Sequence, residues 1–287
     1  MGDIALSMGI DSNGKPFPVH ATVAPEYGAG ALGGLVVGLT LGADGAFRQG
    51  TPPLVAQMVA LVESLMARGM FDASDVADRY RAWPACTLAE APLRALPIAL
   101  FFAGLPDELS AAVLSEVRLT EGQTGEVDWR SRLAAVAVSA AVAAGAFELV
   151  NSHDMGVAAV LQLDETASTS ATTAGEEVAA SKADIVEAHR SVRDDLRRAV
   201  AATHPDDLGE GAPDVLSNAL RHAFWHLVHD TDFEPAMRAV SARGEPLAAA
   251  LTGLLLGAAQ GVEAIPPDWQ AAIETRVSPL LVLLPAD

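Results

Sequence analysis

Apolar residues recur three or four positions apart along most of this chain, which is the spacing of one face of an α-helix. The clearest run begins at Leu54 and continues through Met58 and Leu61. Gly69 then supplies a helix stop, and Asp72 is placed to cap the next helix. The same spacing predicts further helices over residues 72–83, 92–104, 107–117, 128–147, 176–202, 213–228, 232–242 and 245–262. No alternating pattern of useful length predicts a strand, so the expected fold is all-α.

The helical pattern is expected to form one domain over residues 28–276. An N-terminal extension over residues 1–27 precedes it, and a C-terminal tail over residues 277–287 follows it. Residues 164–176 interrupt the helical spacing with a polar stretch rich in Ser and Thr, which predicts a mobile surface loop. A plain linker between two helices is the alternative interpretation of that stretch.

Composition narrows the partners that this chain can have. Hydrophobic residues make up 51% of the chain but aromatic residues only 5%, so the apolar content consists mainly of small side chains that suit closely packed helices. The formal net charge is -19, and no basic cluster offsets it. Nucleic acid and anionic membranes would be repelled, and neither is expected as a partner.

Cysteine content and apolar runs bear on localisation. Cys86 is the single cysteine, which excludes an internal disulfide, fits a reducing compartment, and favours a buried small side chain. The N-terminus lacks the layout of a secretory signal. Residues 133–150 and 246–262 approach membrane-spanning length but are rich in alanine, so we interpret them as buried helices of a soluble, cytoplasmic bundle.

Few side-chain clusters point to chemistry. His222, His226 and His229 share one helix face, where two histidines one turn apart could bind zinc, but no further ligand is evident. We therefore expect a solvated face near a helix C-terminus. The acid pairs Asp194–Asp195 and Asp206–Asp207 are interpreted as solvated surface, and the glycines of GAGALGG as sites of helix packing.

Three segments resemble the ADP-ribosylglycohydrolase family, of the dinitrogenase reductase-activating glycohydrolase type. They are GALGGLVVGLTLGA at residues 30–43, RQGTPPLVAQMVALVESL at residues 48–65 and RGEPLAAALTGLLLGAAQGVEAIP at residues 243–266. LRALPIALFFAG at residues 93–104 and SNALRHAFWHLVHDTDFEPAM at residues 217–237 are similar to further stretches of the family. The resemblance implies a single compact, orthogonal bundle of helices.

The resemblance also implies a pair of magnesium ions held by aspartates, but this chain departs from the family at those positions. Leu39 stands at one aspartate position, and no acid lies between Arg48 and Val62. Residues 244–247, Gly-Glu-Pro-Leu, stand where the family has Asp-Thr-Asp-Thr. Magnesium needs oxygen ligands in near-octahedral geometry, usually including carboxylates. We therefore expect a degenerate member of the family with no metal and no cofactor.

The resemblance leaves a relined cleft where the metal floor would be. Its expected residues are Leu39, Thr40, Pro52, Pro53, Asn218, Gly244 and Glu245. Glu245 and Glu121 are weak candidates for a general acid or base. An exposed residue at a helix N-terminus is the alternative interpretation of Glu245.

Three hypotheses of function remain open at this stage. The first is a non-hydrolytic relative that binds a protein partner or a small molecule resembling a nucleotide sugar. The second is a metal-independent enzyme that uses Glu245 or Glu121 in the same cleft. The third is a structural or assembly protein. The sequence leaves the ligand, the partner and the oligomeric state undetermined.

Overall fold

The computed structural model describes residues 7–10, 16–19, 24–48, 52–84, 86–146, 182–208 and 212–284, with the single residues Asp154 and Gly156. The loop predicted over residues 164–176 lies outside these residues. All regular secondary structure of the described residues is helical except for one short ribbon of two strands, so the all-α prediction is confirmed. Its α-helices are α1 (Pro25–Thr40), α2 (Pro53–Arg68), α3 (Ala73–Tyr80), α4 (Ala91–Arg94), α5 (Leu96–Phe101), α6 (Pro106–Thr124), α7 (Trp129–Ala146), α8 (Lys182–Ala201), α9 (Val215–Val228), α10 (Phe233–Ala242), α11 (Pro246–Gln260) and α12 (Pro267–Val277).

A two-stranded antiparallel ribbon lies in the N-terminal extension. Strand β1 (Ser7–Ile10) pairs with β2 (Pro16–Val19), with Ser7 opposite Val19. The sequence pattern did not predict it, because two four-residue strands that contain Gly9 and Pro18 carry almost no alternation signal. Short 3₁₀ helices also occur at Leu88–Glu90, Pro205–Asp207, Val262–Ala264 and Leu281–Leu283.

Helices α1 and α11 pack antiparallel at backbone contact through the centre of the fold. A β-carbon added to Gly34 would lie 1.9 Å from the carbonyl oxygen of Gly253, and one added to Gly30 would lie 2.2 Å from that of Gly257. A β-carbon added to Gly38 would likewise lie 2.3 Å from the carbonyl oxygen of Ala249. The prediction that the glycines of GAGALGG serve helix packing is confirmed for Gly30 and Gly34. The close contact of α1 with α11 through Gly30, Gly34 and Gly38, called here the glycine seam, places the end of α1 beside the start of α11.

Several helix ends follow the sequence signals. Gly69 ends α2 in the left-handed region with φ 65°, and the Asp72 carboxylate accepts hydrogen bonds from the backbone N–H groups of Ser74 and Asp75 at the start of α3. One prediction was wrong in detail, because the single helix expected over residues 92–104 is divided into α4 and α5. Pro97 lacks the N–H that would have bonded to the carbonyl of Leu93.

The interior holds ion pairs as well as apolar side chains. Arg94 and Glu116 are both fully buried and pair with each other, and the Tyr80 hydroxyl donates to Glu116 Oε1 at 2.9 Å. Burial, reinforced by the Glu116 charge, raises the pKa of Tyr80 well above its usual value. Asp195 is 2% exposed and accepts from Arg221 Nε at 2.8 Å. The expectation that Asp195 lies on solvated surface was therefore wrong, although its neighbour Asp194 is exposed.

Other features bear on the sequence predictions. Cys86 is free and buried, as expected for a small apolar side chain, and burial raises the pKa of its thiol. Beyond Val277, at the end of α12, Leu280 is fully buried against the core. In the part of the chain that the structure describes, no helix is long and apolar enough to cross a membrane.

Candidate functional site

A cleft of about 800 Å³ opens where the N-termini of α9 and α11 meet. The 3₁₀ helix Pro205–Asp207 contributes Asp206 to its wall, and the turn that joins α10 to α11 contributes Arg243 and Gly244. Gly244 has φ 71°, a left-handed conformation that glycine adopts without strain. This turn places the residues that begin α11 beside the first turn of α9. The lining residues are Asp206, Ala212, Asp214, Val215, Asn218, Arg243, Gly244, Glu245, Pro246, Leu247 and Ala248.

Glu245 and Asn218 join the two helix starts. The Asn218 side-chain amide donates to one Glu245 carboxylate oxygen, and the Nε atom of Arg243 lies 3.7 Å from the other. The Glu245 side chain is 34% exposed and makes no capping hydrogen bond to α11. Asn218 Oδ1 is buried and has no hydrogen-bond partner among the described residues. The pair thus presents a carboxylate and an unsatisfied amide oxygen at the cleft.

The remaining charges of the cleft are acidic. Asp206 is exposed and accepts from the Nη1 atom of Arg243 at 3.2 Å. Asp214 caps α9 by accepting from the backbone N–H of Ser217 at 2.8 Å, and it pairs with Arg130, which lies outside the lining. Among the described residues, three carboxylates and one guanidinium therefore line the cleft. Its local charge has the same sign as the charge of the whole chain.

The structure brings together three of the residues expected in the cleft and leaves four elsewhere. Asn218, Gly244 and Glu245 line it. Leu39 and Thr40, at the end of α1, do not line it. Leu39 is partly buried against the core, and the Thr40 hydroxyl donates to the carbonyl of Val36 at 2.6 Å. The two prolines at the start of α2, Pro52 and Pro53, also lie outside the lining.

Glu121 lies apart from the cleft, at the turn between α6 and α7. It is 5% exposed, and Arg132 donates to both of its carboxylate oxygens. The backbone N–H of Asp128 adds a third hydrogen bond at 3.1 Å. These contacts hold the α6–α7 turn, and they give Glu121 a structural role in this arrangement.

Two of the three clustered histidines are buried, so the prediction of a solvated face was wrong for them. His222 is fully buried and His226 is 4% exposed, because α9 packs against α8 and α11. Burial, followed by the charge of Arg243, lowers the pKa of His222 to about 4. Burial, followed by the neighbouring histidines, lowers the pKa of His226 to about 4. Only His229 is exposed, where its ring stacks on Trp225.

The contacts of these histidines differ. The His226 Nδ1 atom lies 2.9 Å from the Thr231 hydroxyl oxygen, and the His229 Nδ1 atom lies 2.9 Å from the carbonyl oxygen of Trp225. Both ring nitrogens of His222 lack a hydrogen-bond partner among the described residues. Sequence spacing showed that the three share a face but could not show which helices cover it.

The donor set at the start of α11 does not fit a pair of magnesium ions. In the segment that stands at the family's acidic motif, Glu245 supplies the one carboxylate, and it is bound to Asn218 and faces Arg243. The Thr40 hydroxyl is engaged within its own helix. Over the described ranges, no group of three or more His, Cys, Asp or Glu side chains is arranged to hold a metal ion. A dinuclear site would need several oxygen ligands, including carboxylates that bridge or flank the ions.

Comparisons with known proteins agree with the sequence resemblance. The sequence model of the ADP-ribosylglycohydrolase family matches residues 85–283, which include the start of α11 and all of α9. A solved structure described as an ADP-ribosylglycohydrolase-related protein complex shares the fold, with a TM-score of 0.64 and 21% identity over 90% of this chain and 97% of that chain. No curated protein matches the sequence. The family model covers more than half of the chain, and the chain therefore belongs to the ADP-ribosylglycohydrolase family.

Proposed function

We propose that this protein is a non-hydrolytic member of its family that binds a small polar molecule in the cleft between α9 and α11. The proposal rests on one observation, the contacts that the Glu245 carboxylate makes. It occupies the position of the family's acidic motif, yet it is held by an amide and faces a guanidinium. A carboxylate in those contacts has its charge partly compensated, which weakens its attraction for a divalent cation.

The volume of the cleft supports ligand binding. About 800 Å³ lies within the range of small-molecule sites, and the wall combines apolar side chains with a few polar groups. A molecule that resembles a nucleotide sugar is the ligand that the family resemblance suggests. We infer no nucleic-acid or membrane partner, because the charge of -19 would oppose both.

The hydrolysis assay that tests this proposal uses ADP-ribosylated arginine and serine substrates with magnesium. We expect no release of ADP-ribose above the rate measured with a chelator. A release rate that rises with magnesium and disappears with the chelator would show that the protein is a metal-dependent hydrolase. Isothermal titration of magnesium into the protein supplies an independent readout, and no saturable heat is expected.

A second candidate function is metal-independent catalysis in the same cleft, with Glu245 as general acid or base. The observation that favours it is the partial exposure of this carboxylate toward an open cleft. Glu245→Gln should then abolish turnover of whichever substrate is found, while the variant keeps the wild-type unfolding temperature. Full turnover by the folded variant would remove Glu245 from the mechanism.

A structural or assembly role is the third candidate, and thermal-shift screening separates it from ligand binding. A ligand at a hundredfold excess over its Kd stabilises the folded state by about 2.7 kcal/mol. ADP-ribose, nucleosides, nucleotides and divalent ions make up the screen. If no compound raises the unfolding temperature, the result favours the structural or assembly role, or a protein partner in place of a small molecule.

A further inference from the structure

Helix α8 carries three arginines and two valines along one side, which we call the arginine stripe. Its residues are Val186, Arg190, Arg193, Arg197 and Val200. They follow one another at intervals of four, three, four and three positions, which is the spacing of a single seam along a helix. The core-facing side of α8 is a different one, where Val192 and Leu196 are fully buried.

The arginine stripe is open to solvent along most of its length. Val186 is 54% exposed and Val200 is 45% exposed. Arg190 and Arg197 are exposed, and Arg193 is partly buried between them. Single exposed valines are common on protein surfaces, but here both belong to one seam that has the arginines at its centre.

Two arginines of the stripe lack an acidic partner. The chain has 37 acidic residues against 18 basic ones, and most arginines of the described chain pair with a carboxylate, as Arg190 does with Glu187. Arg193 and Arg197 form no ion pair or hydrogen bond with any described residue, although the exposed Asp194 follows Arg193 directly. The Nε atom of Arg193 is also buried without a hydrogen-bond acceptor. These two guanidinium groups therefore have donors available for a partner.

We propose that the arginine stripe binds an acidic helix of a partner protein, whose carboxylates pair with Arg193 and Arg197 and whose apolar side chains cover Val186 and Val200. A guanidinium group binds a carboxylate through two parallel hydrogen bonds, and the long arginine stems add apolar contact. Residues 186–200 span about 21 Å along the helix axis, which matches about two heptads of a partner helix. A contact of this size is typical of a transient complex.

Two other occupants fit the stripe less well. A nucleic acid is also anionic, but a long polyanion would extend over a protein whose net charge is -19, and its phosphates offer nothing apolar to the valines. A second copy of this chain, packed on the same stripe through a two-fold axis, would place arginines against arginines. A short acidic helix contacts the stripe alone and avoids both penalties.

The stripe is separate from the cleft between α9 and α11. None of the described residues of α8 lines that cleft. Binding of a partner helix therefore does not depend on the ligand binding proposed above, and either proposal can fail while the other holds.

The first experiment measures fluorescence anisotropy of a labelled helical peptide, added to the full chain. The peptide carries glutamate opposite the three arginines and leucine opposite the two valines. It should bind saturably at about 20 mM salt and at least about tenfold more weakly at about 300 mM salt, because salt screens the ion pairs. A peptide with glutamine in place of glutamate should lose a similar factor. The absence of saturable binding, or equal binding of the glutamine peptide, overturns the proposal.

The second experiment exchanges the charges of the two partners. Arg193→Glu combined with Arg197→Glu should weaken binding of the glutamate peptide at least about tenfold and create binding of the corresponding lysine peptide. A misfolded variant would not gain that second affinity. Arg48→Glu combined with Arg118→Glu is the matched control, since it changes the net charge equally at two exposed arginines outside α8. Equal loss of binding in the control overturns the proposal, because general charge would then explain the affinity.

The third experiment tests the apolar ends and the other occupants. Val186→Ser combined with Val200→Ser should weaken binding of the glutamate peptide at least about threefold, and unchanged affinity contradicts a protein helix as the occupant. Oligothymidine that binds the wild type as tightly as the glutamate peptide would identify a nucleic-acid surface instead. A wild-type dimer in sedimentation that disappears in the Arg193→Glu and Arg197→Glu variant would identify a second copy, and either result overturns the proposal.

Discussion

The buried histidines of α9 show what single residues contribute and what sequence reasoning missed about them. Their spacing placed them on one face of a helix, which is correct. The face is covered by packing against α8 and α11, and no pattern within residues 215–228 carries that information. Arg94, Glu116 and Asp195 were missed for a related reason, because an isolated charge in a sequence is usually a surface residue until its partner in space is known.

Burial of His222 and His226 should make the protein sensitive to acid. Their folded pKa values are about 4, against 6.5 for the unfolded chain, so below pH 6.5 the unfolded state takes up protons that the folded state does not. The stabilising contribution of the two neutral histidines is fully present above pH 6.5. The free energy of unfolding then falls by about 3 kcal/mol for each histidine as the pH decreases toward 4. Arg243, Asp206 and His229 are the other titratable or charged groups that act on these rings.

Urea unfolding between pH 7 and pH 4 measures this loss. His222→Leu should reduce this loss by about half, whereas His229→Gln, which removes only one of the weaker causes of the His226 shift, should reduce it far less. Asp75, whose pKa is lowered to about 2 by Arg79, is a separate contribution, lost only as the pH falls from its usual 3.8 toward 2. A flat stability profile between pH 6.5 and pH 4 would contradict the burial of both imidazoles.

The buried Arg94–Glu116 pair should be costly to break. Glu116→Ala leaves the Arg94 guanidinium charged and without a carboxylate in a fully buried position, which we expect to destabilise the fold by about 3–5 kcal/mol. Glu187→Ala, which breaks the exposed pair with Arg190, should change stability by no more than about 0.5 kcal/mol. Chemical denaturation of both variants gives the comparison, and equal effects would refute a buried pair.

Among the elements, the seam between α1 and α11 is the most constrained. The glycines of GAGALGG were expected to serve helix packing, but the sequence did not show which helix they pack against. The break between α4 and α5 was not predicted, because Pro97 lies inside an apolar run whose spacing favours one helix. Helix spacing thus identifies elements well and local interruptions poorly.

Gly34→Ala tests the seam directly. The added methyl would meet the carbonyl of Gly253 at 1.9 Å, and backbone cannot move aside as a side chain does, so a loss of about 1–3 kcal/mol or more is expected. Gly122→Ala is the matched control, since that position on α6 has nothing within 4 Å. It should stabilise the protein by up to about 1 kcal/mol through helix propensity. Thermal unfolding of both variants should show shifts of opposite sign.

At the scale of the whole molecule, the family and the all-α fold could be predicted from sequence motifs and helical spacing, and the cleft residues stay a prediction. Asn218, Gly244 and Glu245, three of the residues expected in the cleft, lie together because they sit at the starts of two helices that the motifs identify. Leu39 and Pro53 were expected there too, but they lie on α1 and α2, outside the lining. Which side of each helix faces the cleft depends on crossing geometry, which spacing along a single helix does not encode.

The net charge of -19 gives a prediction for the molecule as a whole. Like charges repel one another more in the compact state than in the extended one, and salt screens that repulsion. Raising sodium chloride from about 10 mM to about 150 mM should therefore raise the unfolding temperature. Differential scanning calorimetry checks this, and a lower unfolding temperature at high salt would mean that the surface ion pairs outweigh the net repulsion.

The glycine seam has a consequence for how this protein can change. Because main-chain atoms set the distance between α1 and α11, the side chains at the mouth of the cleft contribute little to holding these helices in place. Substitutions there can accumulate while the backbone frame persists. The same tolerance gives a protein engineer a stable platform, on which an acidic side chain introduced at Pro246, a residue that lines the cleft, could be tested for affinity for divalent cations.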